Sequence, residues 1–372
     1  MQPPRLDHFH RTLEKRKEEG IFRSLKPRPK GFDFYSNDYL GFARNDELRQ
    51  LLLERIQQNP RLLSGSTGSR LISGNSSLVE ETETCIAQKH QYPCALLFSS
   101  GYQANLALFS ALLRRGDTVI VDEHIHRSVH DACRITHARK LKFYHNHLDN
   151  LEDKLRRTHG NCYIAVESLY SMEGDFAPLA EIARLAEKYS AHLLVDEAHA
   201  LGTFGYGLVA RHQLQDRVLA TVITYGKALG AHGAAVLTNS LIKSYLVNFS
   251  SPFIYTTSAQ DIQWMTIKTG YEFLEKNQSL CEDLQRNIRF FRSQGLETPS
   301  SQYSPIQSIL VPNNQRIKAL QQELQEKRLI TYAVCSPTIK EGAERLRVCL
   351  HSFNSERKIV ELTQTIKNFN SQ

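Results

Sequence analysis

The chain has 372 residues, of which 41% are hydrophobic and 23% are charged, with a formal net charge of +7 at pH 7. These proportions are ordinary for a globular protein and argue against a disordered or fibrous chain. No apolar run reaches the length of a membrane-spanning helix, and the first residues lack the hydrophobic core of a signal peptide. The sequence predicts a globular protein without membrane segments, and its positive charge makes nucleic acid one partner to be weighed.

The chain divides into three predicted parts. Residues 1–50 are predicted to form an entry helix (Leu6–Glu19) and an extended arm. Residues 51–240 alternate apolar strands with helical stretches, which is the pattern of a large α/β domain. Residues 241–372 include a turn at Ser251-Pro252 and are predicted to form a bridging helix and a small α+β domain.

In the central part, apolar runs alternate with helical stretches, and each run ends abruptly in polar residues. Continuous apolar runs are typical of strands that are covered on both faces. Strand, helix and strand in succession predict a mostly parallel sheet, whose ligands bind beyond the carboxyl ends of the strands. The predicted strands are Ala95–Phe98, Thr118–Val121, Cys162–Val166, His192–Val195 and Ala220–Ile223, and the predicted helices are Ala104–Arg114, His126–Ala138 and Leu179–Ser190.

The last part of the chain mixes strands with longer helices. It is predicted to face the central part across a junction, with Arg347 opposite Lys227, and such junctions are common ligand sites. The predicted elements are a helix Asp261–Gln294, a strand Ile306–Val311, a helix Gln315–Lys327, strands Leu329–Ala333 and Arg345–Leu350, and a helix Ser355–Asn368.

One lysine stands out among the polar residues at the predicted sheet edge. Lys227 follows a predicted strand in the sequence Thr224-Tyr225-Gly226-Lys227, and Gly230 and Gly233 come after it. Most lysines are solvated surface residues. Here the small neighbours allow backbone to surround the amine, so that it can approach a flat ligand closely.

The residues at this edge match the chemistry of one cofactor. Pyridoxal phosphate has an aldehyde that a lysine binds covalently, a ring nitrogen that a carboxylate keeps protonated, and a phosphate. Lys227 and Asp196 offer the first two groups, while a helix start at Gly101 and Tyr102 offers free backbone N–H groups to the phosphate. The set predicts a pyridoxal phosphate site, although Asp196 alone is equally compatible with a helix cap.

Ordered blocks of the sequence resemble the α-oxoamine synthases, which are fold-type I pyridoxal phosphate enzymes. The blocks are Ser36–Gly41, Gly68–Gly74, Ser99–Asn105, Ser168–Asp175, Asp196–His199, Thr224–Ala235 and Arg345–Arg347. This resemblance, over nearly the whole chain, implies an α/β fold with a mostly parallel seven-stranded sheet, a smaller α+β C-terminal domain, and a homodimer with a shared active site. It further implies a decarboxylating condensation of an amino acid with an acyl-coenzyme A or acyl-carrier-protein thioester.

The resemblance also implies roles for single residues around the cofactor. Lys227 matches the lysine that is joined to the cofactor, and Asp196 matches the partner of the ring nitrogen. His126 matches the histidine stacked on the ring, while His199 and Ser171 match residues near the ring hydroxyl. The residues that match phosphate ligands are Gly101, Tyr102, Thr224 and, from the neighbouring subunit, Thr256.

On the substrate side the resemblance is less complete. Asn37 and Arg347 match residues that hold the substrate carboxylate, and Glu167 matches an acidic residue beside the reacting centre. The family usually has two prolines where Ser258 is followed by Ala259-Gln260, and a histidine where this chain has Asn354. The glycine-rich stretch after the Asp196–His199 block is also short. These departures concern the substrate entrance and leave the acyl-chain preference open.

Three other interpretations of single features are weaker. Asp196-Glu197-Ala198-His199 also spells a helicase box, but no phosphate-binding loop of the form Gly-x4-Gly-Lys-Ser/Thr precedes it. His124, His126 and His130 have the spacing of a helix face, yet no fourth ligand accompanies them, so no metal is predicted. Lysine and arginine are dispersed without a nucleic-acid-binding motif, and their charge equally suits the steering of coenzyme A phosphates.

The cysteine pattern indicates the cellular compartment of the protein. The chain has seven, which are scattered, odd in number and without Cys-x-x-Cys pairs. This pattern favours free thiols in a reducing environment, so a cytoplasmic location is predicted. Cys94, Cys162 and Cys349 lie on or beside predicted strands and are expected to be buried.

Overall fold

The structure is a computed structural model that describes residues 6–25 and 27–371, so residues 1–5 of the predicted first part, Lys26 and Gln372 lie outside the described residues. Within these described residues, short 3₁₀ turns occur at Phe42–Arg44, Pro60–Leu63 and Gln215–Arg217. The α-helices within the described ranges are α1 (Asp7–Glu18), α2 (Asp46–Gln58), α3 (Ser77–His90), α4 (Gly101–Leu112), α5 (Arg127–Arg134), α6 (Leu148–Arg156), α7 (Leu179–Lys188), α8 (Leu208–Arg211), α9 (Ser240–Phe249), α10 (Ser251–Ile254), α11 (Asp261–Lys276), α12 (Ser279–Ser293), α13 (Asn314–Glu326) and α14 (Glu356–Asn370).

In the part of the chain that the structure describes, the strands form three sheets. A central sheet lies in the middle of the chain, a smaller sheet lies near its C-terminus, and a two-stranded pair joins the N-terminal arm to the C-terminal region. The strands are β1 (Phe32–Asp33), β2 (Cys94–Phe98), β3 (Thr118–Asp122), β4 (Arg139–Phe143), β5 (Cys162–Glu167), β6 (His192–Asp196), β7 (Ala220–Thr224), β8 (Ala234–Thr238), β9 (Ile306–Leu310), β10 (Leu329–Ile330), β11 (Tyr332–Val334) and β12 (Arg345–Cys349).

The central sheet has seven strands in the order β2-β8-β7-β6-β5-β3-β4. Strands β3 to β7 run parallel to one another, whereas β8 is antiparallel to both β7 and β2. The prediction of a mostly parallel seven-stranded sheet is therefore confirmed. Because β3, β5, β6 and β7 are parallel, their carboxyl ends meet at one edge.

The core explains why these strands are continuously apolar. In β3, Ile120 packs into the hydrophobic cluster on one face of the sheet, while Val119 and Val121 pack into the cluster on the other face. The first cluster includes Ile182 of α7, and the second includes Val129 of α5. Both faces of the strand are covered by helices, so its three central positions favour apolar side chains.

Two strands of the central sheet were not predicted. β4 has the sequence Arg139-Lys140-Leu141-Lys142-Phe143, which alternates in polarity from Lys140 onward because β4 is one of the two edge strands of the sheet. β8 follows the turn that contains Lys227 and returns antiparallel beside β7. The small residues at its start, Ala234 and Ala235, were interpreted only as surroundings of the lysine, although they also begin this strand.

The C-terminal region corrects two predicted elements. The single helix predicted for Asp261–Gln294 is two helices, α11 and α12, because the backbone of Asn277 leaves the helical conformation and its side-chain amide donates to the carbonyl of Phe273. The strand predicted for Leu329–Ala333 is split between two sheets. β10 pairs in parallel with β1, whereas β11 pairs antiparallel with β12 in the order β11-β12-β9.

The division into residues 1–50, 51–240 and 241–372 stays a prediction. Strand β1 of the arm pairs with β10, so the arm adds to the C-terminal region rather than to the central sheet. Within the described ranges, no helix combines the length and the apolar character required to cross a bilayer. All seven cysteines are free thiols; Cys162 and Cys349 are buried as expected, but Cys94 is only half-buried because it begins the edge strand β2.

The loop between β5 and α7 contacts the C-terminal region at Gly174. Its φ of +70° lies in the left-handed region, and an added Cβ would lie 2.1 Å from the carbonyl oxygen of Ile306 on β9. The backbone N–H of Ser301 donates to the Gly174 carbonyl at 3.0 Å. Both the conformation and the close approach therefore require glycine at this position.

We expect Gly174→Ala to lower the free energy of unfolding by about 2–4 kcal/mol, because strain from the positive φ adds to steric overlap with β9. Gly342→Ala is the matched control, since Gly342 has φ of +82° with open space around its Cβ direction. We expect the control to cost about 1–2 kcal/mol. Urea unfolding of both variants measures the difference, and equal losses would contradict the steric account.

Candidate active site

A cavity of about 550 Å³ opens at the carboxyl edge of the central sheet. The ends of β2, β3, β5, β6 and β7 form one wall, and residues of β11 and β12 close the other. Its size lies in the range of small-molecule sites. The predicted site residues that line it are Asn37, Gly101, Tyr102, His126, Glu167, Ser171, Asp196, His199, Thr224, Lys227 and Arg347.

Lys227 lies in the turn between β7 and β8, and its Nζ donates to Oγ1 of Thr224 at 3.2 Å. Gly230 completes this turn with φ of +57°, where an added Cβ would overlap the backbone of the arm. Burial lowers the pKa of the Lys227 amine, although the carboxylates of Asp196 and Glu167 act in the opposite direction. A lowered pKa increases the fraction of neutral amine, which is the form that attacks an aldehyde or accepts a proton.

Asp196, at the end of β6, is 7% exposed, and both of its carboxylate oxygens accept hydrogen bonds. Oδ1 accepts from the backbone N–H of Ala198 at 2.9 Å, and Oδ2 accepts from Nδ2 of Asn105 at 2.7 Å. The same amide donates to Oγ of Ser128 at 2.9 Å, and this hydroxyl lies 2.8 Å from Nδ1 of His126. Asn105 and Ser128 thus connect the predicted ring-nitrogen partner with the predicted stacking histidine.

The start of α4 forms the part of the cavity predicted to hold a phosphate. Ser100 caps this helix by accepting from the backbone N–H of Gln103 at 3.2 Å, and the backbone of Gly101 and Tyr102 follows at the cavity. A Cβ on Gly101 would lie 2.5 Å from Cγ2 of Thr224, so only glycine allows α4 to approach β7 this closely. Unpaired N–H groups and the helix dipole favour an anion here.

A chain of hydrogen bonds runs across the cavity from His199 to Arg347. Oη of Tyr39 lies 2.8 Å from Nδ1 of His199 and donates to Oδ1 of Asn37 at 3.2 Å. Nη2 of Arg347 donates to the same oxygen at 3.0 Å, and its Nε donates to the carbonyl of Ser171 at 2.7 Å. Burial lowers the pKa of His199 well below its usual value, so the ring is neutral.

Glu167 ends β5 directly beside Asp196 of β6 and is 3% exposed. Its Oε1 has no hydrogen-bond partner among the described residues. Burial, followed by the charge of Asp196, raises the pKa of Glu167 well above its usual value, while Lys227 acts in the opposite direction. The raised pKa favours a neutral carboxylic acid that can donate a hydrogen bond into the cavity.

Thr256 is the one predicted site residue that does not line the cavity of its own chain. It lies half-buried after α10, next to Tyr255, which is 83% exposed. The same segment docks on an earlier loop, since the backbone N–H of Ser258 donates to the carbonyl of Gly68 at 2.9 Å and Oγ of Ser66 donates to the carbonyl of Ser258 at 2.7 Å. Hydrogen bonds to its backbone N–H and carbonyl thus hold Ser258 in place. This residue precedes the Ala-Gln pair that stands where the family has two prolines.

The cavity fits pyridoxal phosphate. The Lys227 amine, the Asp196 carboxylate and the start of α4 offer the groups that its aldehyde, ring nitrogen and phosphate require. Oδ1 of Asn105 and Oε1 of Glu167 are buried without a partner among the described residues, although both residues line the cavity. Buried polar atoms are normally hydrogen-bonded, so these two point to a polar ligand.

Sequence reasoning missed several residues of the cavity and its support. Asn105 had a detectable signal, because it lies one helical turn after Gly101 and shares its helix face. Ser100 was a recognisable helix cap. Tyr332 had no such signal, because only the small sheet brings β11 to the cavity. The missed residues are Tyr35, Tyr39, Ser100, Asn105, Ser128, Met172, His232 and Tyr332.

The chain belongs to the aminotransferase class I and II family, which residues 29–366 match. Within that class it is related over almost its whole length to 8-amino-7-oxononanoate synthases. It is 35% identical to that of Emericella nidulans, covering 97% of this chain and 94% of the relative. It is 30% identical to that of Lysinibacillus sphaericus, covering 98% of each. The family resemblance stated from the sequence is confirmed.

Solved structures agree on the fold. The 8-amino-7-oxononanoate synthase of Francisella tularensis has a TM-score of 0.80 and 28% identity, covering 92% of this chain and 98% of that one. A serine palmitoyltransferase of S. paucimobilis has a TM-score of 0.88 and 24% identity, covering 99% and 98%. At that identity the second likeness concerns the fold alone. The predicted fold class is confirmed.

We expect Asn105→Ala to raise the dissociation constant for pyridoxal phosphate about tenfold, because Oδ2 of Asp196 loses its side-chain donor. Equilibrium titration followed by absorbance measures this constant. Asn248→Ala is the control, since Asn248 lies exposed on α9 and donates only locally to the carbonyl of Ser244. An unchanged constant in Asn105→Ala would contradict the supporting role of this amide.

Proposed function

We propose that this protein is a pyridoxal-phosphate-dependent synthase that condenses L-alanine with a pimeloyl thioester of coenzyme A or acyl carrier protein. The products are 8-amino-7-oxononanoate, carbon dioxide and the free carrier thiol, a step of biotin biosynthesis. The observation that carries the proposal is that Lys227, Asp196 and Arg347, from different parts of the chain, line one cavity. The names of the relatives at 30% identity or more support this substrate pair.

The chain supplies a base, Lys227, and a counter-charge, Asp196, to the same cavity. When bound, pyridoxal phosphate supplies an electron-poor ring that accepts the charge left by removal of the amino-acid α-proton. Asp196, oriented by Asn105, would keep the ring nitrogen of the cofactor protonated. Lys227 would hold the cofactor through its aldehyde, and its Nζ is suited to accept the α-proton because burial lowers its pKa.

Other cavity residues hold the substrates. The Arg347 guanidinium is buried and fixed by Asn37 and the Ser171 carbonyl, so it can bind a carboxylate by paired hydrogen bonds. His126 is oriented through Ser128 and is suited to stack on the cofactor ring. Glu167, as a neutral acid, can donate to an oxygen of the acyl group or of the amino-acid carboxylate.

We expect Lys227→Ala to abolish both turnover and the visible absorption band of the bound cofactor, because no other residue replaces the covalent link and the proton acceptor. Absorbance spectra and product formation measure the two losses. Lys340→Ala, at an exposed position, is the control and keeps both. A Lys227→Ala variant with normal turnover would contradict the proposed role of Lys227 as covalent link and proton acceptor.

The proposed substrate pair can be compared directly with other pairs of amino acid and acyl thioester. Glycine with acetyl-coenzyme A, or serine with a long-chain acyl-coenzyme A, uses the same cavity chemistry. Mass spectrometry of products over a grid of amino acids and acyl thioesters distinguishes them, and the proposal expects the highest kcat/KM for L-alanine with a pimeloyl thioester. A colourless protein that binds DNA in a salt-dependent manner would instead favour a nucleic-acid-binding module.

We also propose a homodimer in which Thr256 reaches the phosphate in the partner's cavity. Its position outside its own cavity, beside the exposed Tyr255, supports this arrangement. The seven free cysteines support a reducing, cytoplasmic setting.

Mixed dimers test the shared site. Lys227→Ala and Thr256→Arg homodimers are each expected to be inactive, because every site contains one defect. Co-unfolding and refolding them, or co-expressing them, creates mixed dimers with one intact site and restores roughly a quarter of the wild-type specific activity. Activity that stays at the level of the separate variants would contradict the contribution of Thr256 across the interface.

A further inference from the structure

A cluster of charged side chains lies beside the cavity, where the loop between β5 and α7 meets the ends of β3 and β4. His145, just after β4, occupies its centre. Nδ1 lies 2.9 Å from Oδ1 of Asp122, and Nε2 lies 2.8 Å from Oδ2 of Asp175. Asp122 is fully buried, and carboxylate oxygens accept hydrogen bonds, so both ring nitrogens donate and the ring is an imidazolium.

The two carboxylates determine the charge of this ring. Burial would lower the pKa of His145, but the hydrogen bonds and charges of Asp122 and Asp175 outweigh it and raise the pKa to about 10. Asp122 also accepts from the backbone N–H groups of His124 at 2.8 Å and Asn146 at 2.9 Å. Since both ring nitrogens donate, the ring has no free lone pair for a metal ion. His145 and the carboxylates of Asp122 and Asp175 are thus joined by charge-assisted hydrogen bonds, and we call these three side chains the His145 clamp.

Asp175 belongs to the loop that supports the substrate side of the cavity. Its carbonyl accepts from the backbone N–H of Tyr170 at 3.0 Å, which closes the loop around the intervening residues. Among them is Ser171, whose carbonyl holds Nε of Arg347 at 2.7 Å. The clamp on Asp175 therefore lies four residues from the contact that aims the guanidinium.

A second contact extends the clamp to the strand of Arg347. In the same loop, Oε1 of Glu173 lies 3.3 Å from Nη1 of Arg345 and 3.3 Å from Nδ1 of His124. The ring of His124 stacks on that of His145 with centroids 4.2 Å apart. Arg345 precedes Arg347 by two residues on β12, so the loop is fixed to the central sheet on one side and to this strand on the other.

We propose that His145 is a positioning residue for the substrate site. Held between Asp122 and Asp175, it fixes the 168–177 loop so that the Ser171 carbonyl keeps the Arg347 guanidinium directed at the cavity. Without the imidazolium, the two carboxylates repel each other. The loop then retains on this side the neutral contacts of Asn146, whose Nδ2 donates to Oδ2 of Asp175 at 3.0 Å and to the carbonyl of Phe176 at 3.1 Å. The loss then falls mainly on binding of the amino-acid substrate, because the cofactor-side residues Asp196 and Thr224 lie outside this loop and only Ser171 lies within it. This inference rests on the proposed function.

The test compares His145→Gln with His159→Gln, a histidine on the exposed surface. A glutamine donates from one end only, so it cannot bridge both carboxylates. We expect KM for L-alanine to rise about tenfold in His145→Gln, while kcat falls less than about threefold and the cofactor dissociation constant stays within about twofold. Hydrogen exchange of residues 168–177 is expected to become faster in His145→Gln and to stay unchanged in His159→Gln.

Asp175→Asn gives a second, milder variant that keeps the contact of His145 with Asp122. It is expected to show the same pattern with a smaller rise in KM, and it decides the question if His145→Gln does not fold. An unchanged KM together with unchanged hydrogen exchange in a folded variant overturns the proposal, as does an equal loss of cofactor affinity. These outcomes are distinct from failure of the proposed function, in which the wild-type protein itself makes no product from L-alanine.

Discussion

The site depends on a buried amine and a buried carboxylate that share one cavity. Taking two ionisable groups out of water costs several kcal/mol for each charge unless partners compensate. The Asn105 amide and the Ala198 backbone N–H compensate the burial of the Asp196 carboxylate by donating hydrogen bonds to it. The carboxylate can then accept a further hydrogen bond from a cationic group. Lys227 responds to burial through a lowered pKa. The parallel sheet makes this arrangement possible, because it delivers both residues from strand ends at one edge.

The opposite wall of the cavity comes from the C-terminal region. Arg347 reaches the cavity only because β12 packs against the loop between β5 and α7, and because Gly174 allows that loop to touch β9. The His145 clamp secures the same loop from the side of the central sheet. The loop between β5 and α7 therefore joins the sheet edge to the opposite wall of the cavity, which agrees with the common location of ligand sites at such junctions.

Local sequence patterns were sufficient where both faces of a strand are buried, as in β3, β5 and β6, and where chemistry needs a special residue, as at Lys227. They were insufficient for β4, whose edge position gives an alternating pattern, and for the break at Asn277, which a side-chain contact determines. The clamp at His145 is also invisible locally, because its partners lie more than twenty residues away along the chain. The proposed contact of Thr256 with a partner's cavity could not be derived from local patterns, because it involves a second copy of the chain.

The most direct measurement is reduction of the purified protein with sodium borohydride, followed by mass spectrometry of its peptides. Reduction makes the link between the cofactor and a lysine permanent, so the modified residue can be read from the fragment masses. The account predicts one phosphopyridoxyl group, carried by the peptide that contains Lys227. A group on a different lysine, or a protein that takes up no pyridoxal phosphate, would contradict it.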